Sequence, residues 1–446
     1  MQFFSTNNPE LRVDLEEAIF RGLPADNGLY MPERIDPLPE SFFQELPDLS
    51  FSEIGFRVSR QLLKGAIADD ALRSIVEEAI NFPAPLIKLD EQKSILELFH
   101  GPSLAFKDFG ARFMSRLMAH FNKEKDKQLV ILVATSGDTG GAVAAGFYQT
   151  PGIEVVILYP KGKVSLLQEK QLTTLGHNIK ALEVDGTFDD CQHLVKQAFL
   201  DEDLRDQIRL SSANSINIAR LIPQSFYYFE AYKQLLGQGI ITPPVFCIPS
   251  GNFGNLTAGL LAHRLGLPVT QFIAATNSND VVPQYLQSGN YNPRPSVATL
   301  SNAMDVGKPS NFARMANLYG QINGRDPLEK ATWESMRQLI TGYAFTDLET
   351  EAAVQLVKDR FDYTIDPHGA VGYLALDRYQ KETNSSHGII LETAHPSKFK
   401  PDVERILRHE IEVPERLAEL ENREKVAVEM SIIYSPVRKW LLEQYV

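Results

Sequence analysis

Only two of the 446 residues are cysteine. That is too few for a disulfide framework, and neither Cys191 nor Cys247 has neighbours at metal-ligand spacing. No apolar stretch approaches the ~18 residues a membrane-spanning helix needs, and the opening M-Q-F-F-S-T-N-N-P-E lacks the basic start and apolar run of a secretory signal. A reducing, cytoplasmic setting is therefore expected, with both thiols as core filler and no metal. Basic excess is missing too. Forty-four Lys and Arg against 57 Asp and Glu leave a formal charge of −13, which argues against nucleic acid or a membrane surface as partner. An anionic small molecule stays possible if it finds a local basic pocket. What is present is an ordinary globular balance, 43% apolar and 23% charged, over a length that suits two domains plus extensions.

Residues 1–93 read as mainly helical and polar-loop material broken by Gly22, Pro24, Gly28 and Pro32, a supporting domain with no catalytic constellation. Ser52 is expected to open one helix there and Asp69 another, with acidic first turns that suit the helix dipole. From about residue 94 to 400, short β-rich runs alternate with helical periods: 129–133, 155–158, 179–184, 245–248, 272–275 and 388–391 are strands, the last of them expected to be the final strand. Ser165 and Gln168 form a capping box before one of the helices. This alternation predicts an α/β fold of two domains, with mostly parallel sheets flanked by helices and ligands at the carboxyl ends of the strands. Residues 401–446 read as a C-terminal helical extension whose last helix begins at Ser435-Pro436.

Several loops carry chemistry. Lys107 lies between Phe106 and Phe109 where the Gly101-Pro102 turn gives way to a helix. Partial desolvation there disfavours the ammonium form and frees an amine that can form a Schiff base with an aldehyde cofactor or carbonyl substrate. In isolation F-K-D-F reads better as a surface lysine lying over apolar neighbours. Ser136-Gly137-Asp138-Thr139-Gly140 follows the 129–133 strand and opens a helix, so its amides and hydroxyls can hold a carboxylate or phosphate; alone it is equally a capped turn. Ser250-Gly251-Asn252-Phe253-Gly254-Asn255 again joins strand to helix and can cradle a monoester phosphate, whereas no Lys-Ser/Thr follows its second glycine to make a nucleotide loop. Asn214 and Ser215, with Arg220 six positions on, can converge on a phosphate, although caps and a surface charge are the plainer reading. Lys161 and Lys163 read as solvated loop charges, Thr393 as a possible helix cap, and His395 beside Pro396 as structural.

The segment H-G-P-S-L-A-F-K-D-F-G around Lys107 closely resembles the cofactor-lysine segment of the threonine synthases, pyridoxal-phosphate enzymes of fold type II, the tryptophan-synthase-β type. The resemblance returns in family order at G-L-P-A-D-N-G-L-Y-M-P (22–32), A-T-S-G-D-T-G-G (134–141), N-S-I-N-I-A-R (214–220), P-S-G-N-F-G-N (249–255), S-N-A-M-D (301–305) and T-A-H-P-S-K-F (393–399). It implies that Lys107 holds pyridoxal 5'-phosphate, that Gly251, Asn252, Phe253 and Asn255 hold its phosphate with Gly254 supplying the turn, and that Thr393 faces the ring nitrogen. It further implies that Thr135, Ser136, Asp138 and Thr139 grip a substrate α-carboxylate. A carboxylate cannot hold a carboxylate, so Asp138 is expected to act through its backbone and by bracing the loop. Asn214, Ser215 and Arg220 are expected on the phosphate of O-phospho-L-homoserine, which would be converted with water to L-threonine and phosphate by a monomer or homodimer. A phospho-lyase or serine/threonine dehydratase of the same fold, and a non-catalytic phosphometabolite-binding protein, are the alternatives.

Overall fold

The computed structural model describes residues 1–123, 128–320, 329–383 and 387–446. Two sheets organise it. One runs in the order Val428–Met430, Ile179–Val184, Ile153–Pro160, Leu129–Ala134, Arg209–Ser212, with every pair parallel. The other runs Ile340–Ala344, Gln271–Thr276, Val245–Pro249, Gly388–Glu392, Lys93–Glu97, Leu86–Lys88; only its last pair is antiparallel. Both sheets are covered on both faces, which is why their central strands are near-continuous Val, Ile and Leu.

Alternation along each strand divides its side chains between two cores. Leu129, Ile131 and Val133 of the first sheet, with Phe246, Ile248, Ile389 and Leu391 of the second, share the largest core, which also holds the apolar face of Lys107–Asn122. Val130, Leu132 and Val156 face outward onto Phe188–Leu200 and the C-terminal helix Tyr434–Tyr445. Cys247, Ile273 and Ile390 face Asp347–Phe361, Pro367–Thr383 and Lys400–Leu407. Both cysteines are buried and unpaired.

Four details depart from the sequence reading. The N-terminal part contains a small antiparallel sheet, Arg12–Val13, Phe3–Ser5, Tyr30–Pro32, whose strands are too short to leave an alternating pattern. Its first long helix is Phe51–Leu63, starting before Ser52, because the Ser50 hydroxyl accepts from the Glu53 amide and caps it. Gly388–Glu392 is not the last strand: Val428–Met430 joins the edge of the first sheet, with two of its three residues exposed. The final helix begins at Tyr434, which puts Pro436 inside the first turn. The expected capping box is present, with Gln168 N donating to Ser165 Oγ at 3.2 Å and Ser165 N to Gln168 Oε1 at 3.1 Å.

Candidate active site

Every loop singled out above leaves the carboxyl end of a parallel strand: Ala134, Ser212, Pro249 and Glu392 end the strands before residues 135, 213, 250 and 393, and Glu97 ends the one before the Lys107 loop. Two of these ends are joined directly. Phe106 N donates to Thr393 O at 2.8 Å, His395 N donates to Leu104 O at 3.0 Å, and Ala105 bridges Ala394. The lysine loop is therefore zipped to the T-A-H-P segment. Leu104 takes a left-handed φ of 60° to make that fit, a conformation a branched residue adopts only under local constraint. Asp108, fully buried, accepts from Ser103 N at 2.8 Å and folds the loop over the start of its helix. Burial pushes its carboxyl up to about 6.

Lys107 is the first residue of Lys107–Asn122 and is half-buried, its Nζ 5.9 Å from the Phe106 ring centre. Desolvation lowers its pKa from 10.5 to about 8; the Asp138 carboxylate opposes the shift, and the Lys398 and Arg220 charges reinforce it. The sequence reading found the desolvation but missed Lys398. That ammonium is completely buried, 2.7 Å from Asp138 Oδ1 and 2.9 Å from Ser103 O. It thus ties the lysine loop, the S-G-D-T-G loop and its own T-A-H-P-S-K-F segment together. The only hint in the sequence is its place in T-A-H-P-S-K-F, one of the segments that carry the family resemblance.

In the S-G-D-T-G loop Gly137 adopts φ +132°, where a Cβ would meet the Gln168 carboxamide. Thr135 Oγ1 accepts from Gly137 N at 2.9 Å and Gly140 N at 2.8 Å, so this hydroxyl is committed inside the loop and does not face outward. Asp138 is likewise committed, to Lys398 and to Gln168 Nε2 at 3.1 Å, and the lysine charges hold its carboxyl far below the usual range against its burial. Ser136 and Thr139 differ: both are half-exposed, and with Asp138 they present amides that have no acceptor among the described residues.

The second glycine loop is a stronger cradle. The amides of residues 251 to 255 have no acceptor among the described residues. Gly251 packs so closely on the S-N-A-M-D segment that a Cβ would lie 2.8 Å from Ala303 O and Met304 Cα. Gly254 does not supply the turn; it is the first helical residue, and the left-handed position falls on Phe253, φ 59°. Asn255 turns its side chain inward, donating to Pro249 O at 2.7 Å and accepting from Ser250 Oγ at 3.1 Å, which leaves only its amide for a ligand. Thr393 is buried, and its hydroxyl has no partner among the described residues. His395 accepts from Ser397 N at 3.1 Å and caps the short helix Pro396–Phe399; burial lowers it to about 4, so it is neutral and structural.

Arg220 is 3% exposed, not a surface charge. It donates through Nη1 to Ala213 O at 2.6 Å, its Nε has no partner among the described residues, and desolvation lowers its pKa to about 10 against the attraction of Asp108. Asn214 and Ser215 line a cleft of about 1260 Å³ together with Thr139, Asn252 and Ser310. Arg21, Leu23, Pro24, Asn27 and Leu29 form part of its wall, so the N-terminal part is more than a support. Lys161 is on the surface, paired with Glu429 at 2.8 Å. Among the described residues no acidic, His and Cys group could hold a metal ion, and no helix is long and apolar enough to cross a membrane.

Residues 81–391 match the profile of the pyridoxal-phosphate dependent enzymes, residues 2–80 that of the threonine synthase N terminus and residues 369–438 that of the threonine synthase C-terminal region. A threonine synthase of Haemophilus influenzae is 45% identical over 99% of this chain and all of its own length. The chain belongs to the threonine synthases. The crystal structure of threonine synthase from Escherichia coli superposes with a TM-score of 0.90 at 41% identity, each chain covered completely. That of the pyridoxal-phosphate-bound threonine synthase from Brucella melitensis gives 0.92 at 32% identity, over 100% of this chain and 99% of its own. The family carries the cofactor with it: this member is a pyridoxal 5'-phosphate-dependent lyase acting on a small molecule, of fold type II. Its residues fit the group, since five unpaired consecutive amides suit a phosphate monoester and a lysine near pKa 8 suits an aldehyde.

Proposed function

We propose that this enzyme converts O-phospho-L-homoserine and water to L-threonine and phosphate. The observation that carries the substrate is Arg220: a buried guanidinium whose Nε has no partner among the described residues, held by the carbonyl of Ala213 just before Asn214 and Ser215, which line the cleft. A buried cation calls for an anion, and a planar guanidinium suits phosphate. When bound, pyridoxal phosphate supplies an electron sink for the carbon next to the substrate amine.

The chain's own residues divide the work. Lys107 would hold the cofactor, and its amine, neutral in a large fraction near pH 8, would take and return the Cα proton, while the proton lost from Cβ ends on Cγ. The amides of Gly251, Asn252, Phe253, Gly254 and Asn255 would hold the cofactor's phosphate, and the Thr393 hydroxyl would serve its ring nitrogen, which would suit elimination and replacement. Ser136 and Thr139, with the loop amides, orient the substrate carboxylate; Thr135 and Asp138 keep that loop in shape. Asn214, Ser215 and Arg220 bind the phosphate that leaves from Cγ before water adds at Cβ. We also place the enzyme in the cytoplasm as a monomer or homodimer, a setting that two unpaired buried thiols suit.

Incubation with O-phosphohomoserine, following phosphate, threonine and 2-oxobutyrate together, tests the reading. Equimolar phosphate and threonine are expected. Phosphate with 2-oxobutyrate and no threonine would mean a phospho-lyase, and no phosphate release would contradict the substrate.

A further inference from the structure

A second buried guanidinium lies against the carbonyl of Ile216, in the turn that follows Asn214 and Ser215. Arg314, on the helix Phe312–Tyr319, is completely buried and among the described residues has no carboxylate partner. Burial lowers its pKa, to about 9, with no acidic neighbour contributing among the described residues. Its donors go to neutral oxygens: Nε and Nη2 to Tyr30 O at 3.1 and 3.0 Å, Nη2 to Ile216 O at 2.6 Å, Nη1 to Asn311 Oδ1 at 2.8 Å. Asn311 in turn donates through Nδ2 to Ser215 O at 3.4 Å and through its amide to Asn252 O at 3.2 Å, while Ser310 Oγ donates to Asn252 Oδ1 at 3.1 Å. One short segment therefore ties the Ser215–Ile216 turn to the Gly251–Asn255 loop and to the N-terminal strand.

A chain with 13 surplus negative charges has carboxylates to spare, yet among the described residues none is placed on this cation. Buried charges are ordinarily paired, and hydrogen bonds to carbonyls satisfy the donors without cancelling the charge. We infer that Arg314 is a positioning residue for the substrate's phosphate: it fixes the Ser215–Ile216 turn and leaves an uncompensated positive charge behind it, for which the phosphate dianion is the counter-charge. The inference rests on the assignment of Asn214, Ser215 and Arg220 to that phosphate. It also gives the N-terminal strand a task, since the Tyr30 carbonyl holds the guanidinium from the other side.

The test uses the cofactor-loaded enzyme and inorganic phosphate as the probe. Two quantities are read in wild type, Arg314→Lys, Arg314→Met, Asn311→Asp and Arg220→Ala: the inhibition constant of phosphate against O-phosphohomoserine, and the thermal stabilisation that phosphate gives. Cofactor absorbance reports loading and folding. Arg314→Met is expected to weaken phosphate on the order of ten-fold, raising KM more than it lowers kcat, with loading unchanged. Arg314→Lys should recover part of the loss, because the charge stays and the fork geometry goes. Asn311→Asp sets a carboxylate against the guanidinium without opening a cavity and should weaken phosphate about as much. It decides the matter, with Arg314→Lys, should the methionine variant fold poorly. Phosphate affinity within about two-fold of wild type in these variants, with Arg220→Ala impaired, overturns the role of Arg314 alone. Unchanged affinity in Arg220→Ala as well overturns the phosphate assignment beneath it.

Discussion

Replacing Lys398 by methionine removes the ammonium from the Asp138 pair while roughly conserving volume. Both side chains are nearly or fully buried, 0% and 4% exposed, and 2.7 Å apart. Removing one member of such a pair leaves the other charged and alone, at a cost of about 3–5 kcal/mol. Asp138 keeps Gln168 and the charge on Lys107, so the lower end applies. Because the Asp138 carboxyl is depressed below its ordinary 3.8, its share of stability is complete above that value and lost only as pH falls toward the folded pKa. The loss in Lys398→Met should therefore be flat across neutral pH. Lys107 responds in the opposite sense. It loses a repelling cation and keeps an attracting anion, so its pKa climbs from about 8 toward 10.5. Capture of pyridoxal phosphate by cofactor-free enzyme needs the neutral amine, so its rate should rise with pH through about 8 in wild type and through a higher value in Lys398→Met. Asp138→Asn should shift that midpoint down. The double variant should lose less stability than the two singles summed, by about 2 kcal/mol. Urea midpoints and stopped-flow absorbance measure the two effects. An additive cycle, or a Lys398→Met capture profile that overlays wild type, refutes the coupling.

Gly251→Ala pushes a methyl against the Ala303 carbonyl and Met304 Cα and should weaken cofactor binding on the order of ten-fold; a dissociation constant equal to wild type shows that the loop has room. Thr393→Asp sets a charge where a hydroxyl stood, and should change the visible absorbance of the loaded enzyme and raise the share of 2-oxobutyrate. An unchanged spectrum and product partition remove Thr393 from the ring nitrogen. His395→Gln should cost about 1 kcal/mol through the lost cap and leave every limb of the pH–rate profile in place, because a histidine at about 4 is neutral throughout the working range; a missing limb makes it a proton carrier.

The central strands were legible because a parallel strand buried on both faces is an unbroken apolar run, as at Leu129–Ala134, and the site loops because they follow such runs at once. Phe3–Ser5 and Val428–Met430 were not, since three residues at a sheet edge carry no period. Residue types were read more reliably than the direction their side chains take. Thr135, Asp138 and Asn255 sit in the candidate-site loops, yet each turns inward to hold its loop, an outcome set by packing that local sequence does not carry. Lys398 and Arg314 were invisible for a related reason. A lone basic residue reads as solvent-exposed, and what buries these two are partners far away in the chain, Asp138 for one and Tyr30 for the other.

The most direct measurement of the whole account is where the cofactor attaches. Borohydride reduction of the yellow, loaded enzyme followed by peptide mapping should place the pyridoxyl group on Lys107 alone, and Lys107→Ala should take up no label and make no threonine. A label on Lys398, the fully buried lysine of the site, or a Lys107→Ala enzyme that is still labelled and still converts O-phosphohomoserine, would contradict it.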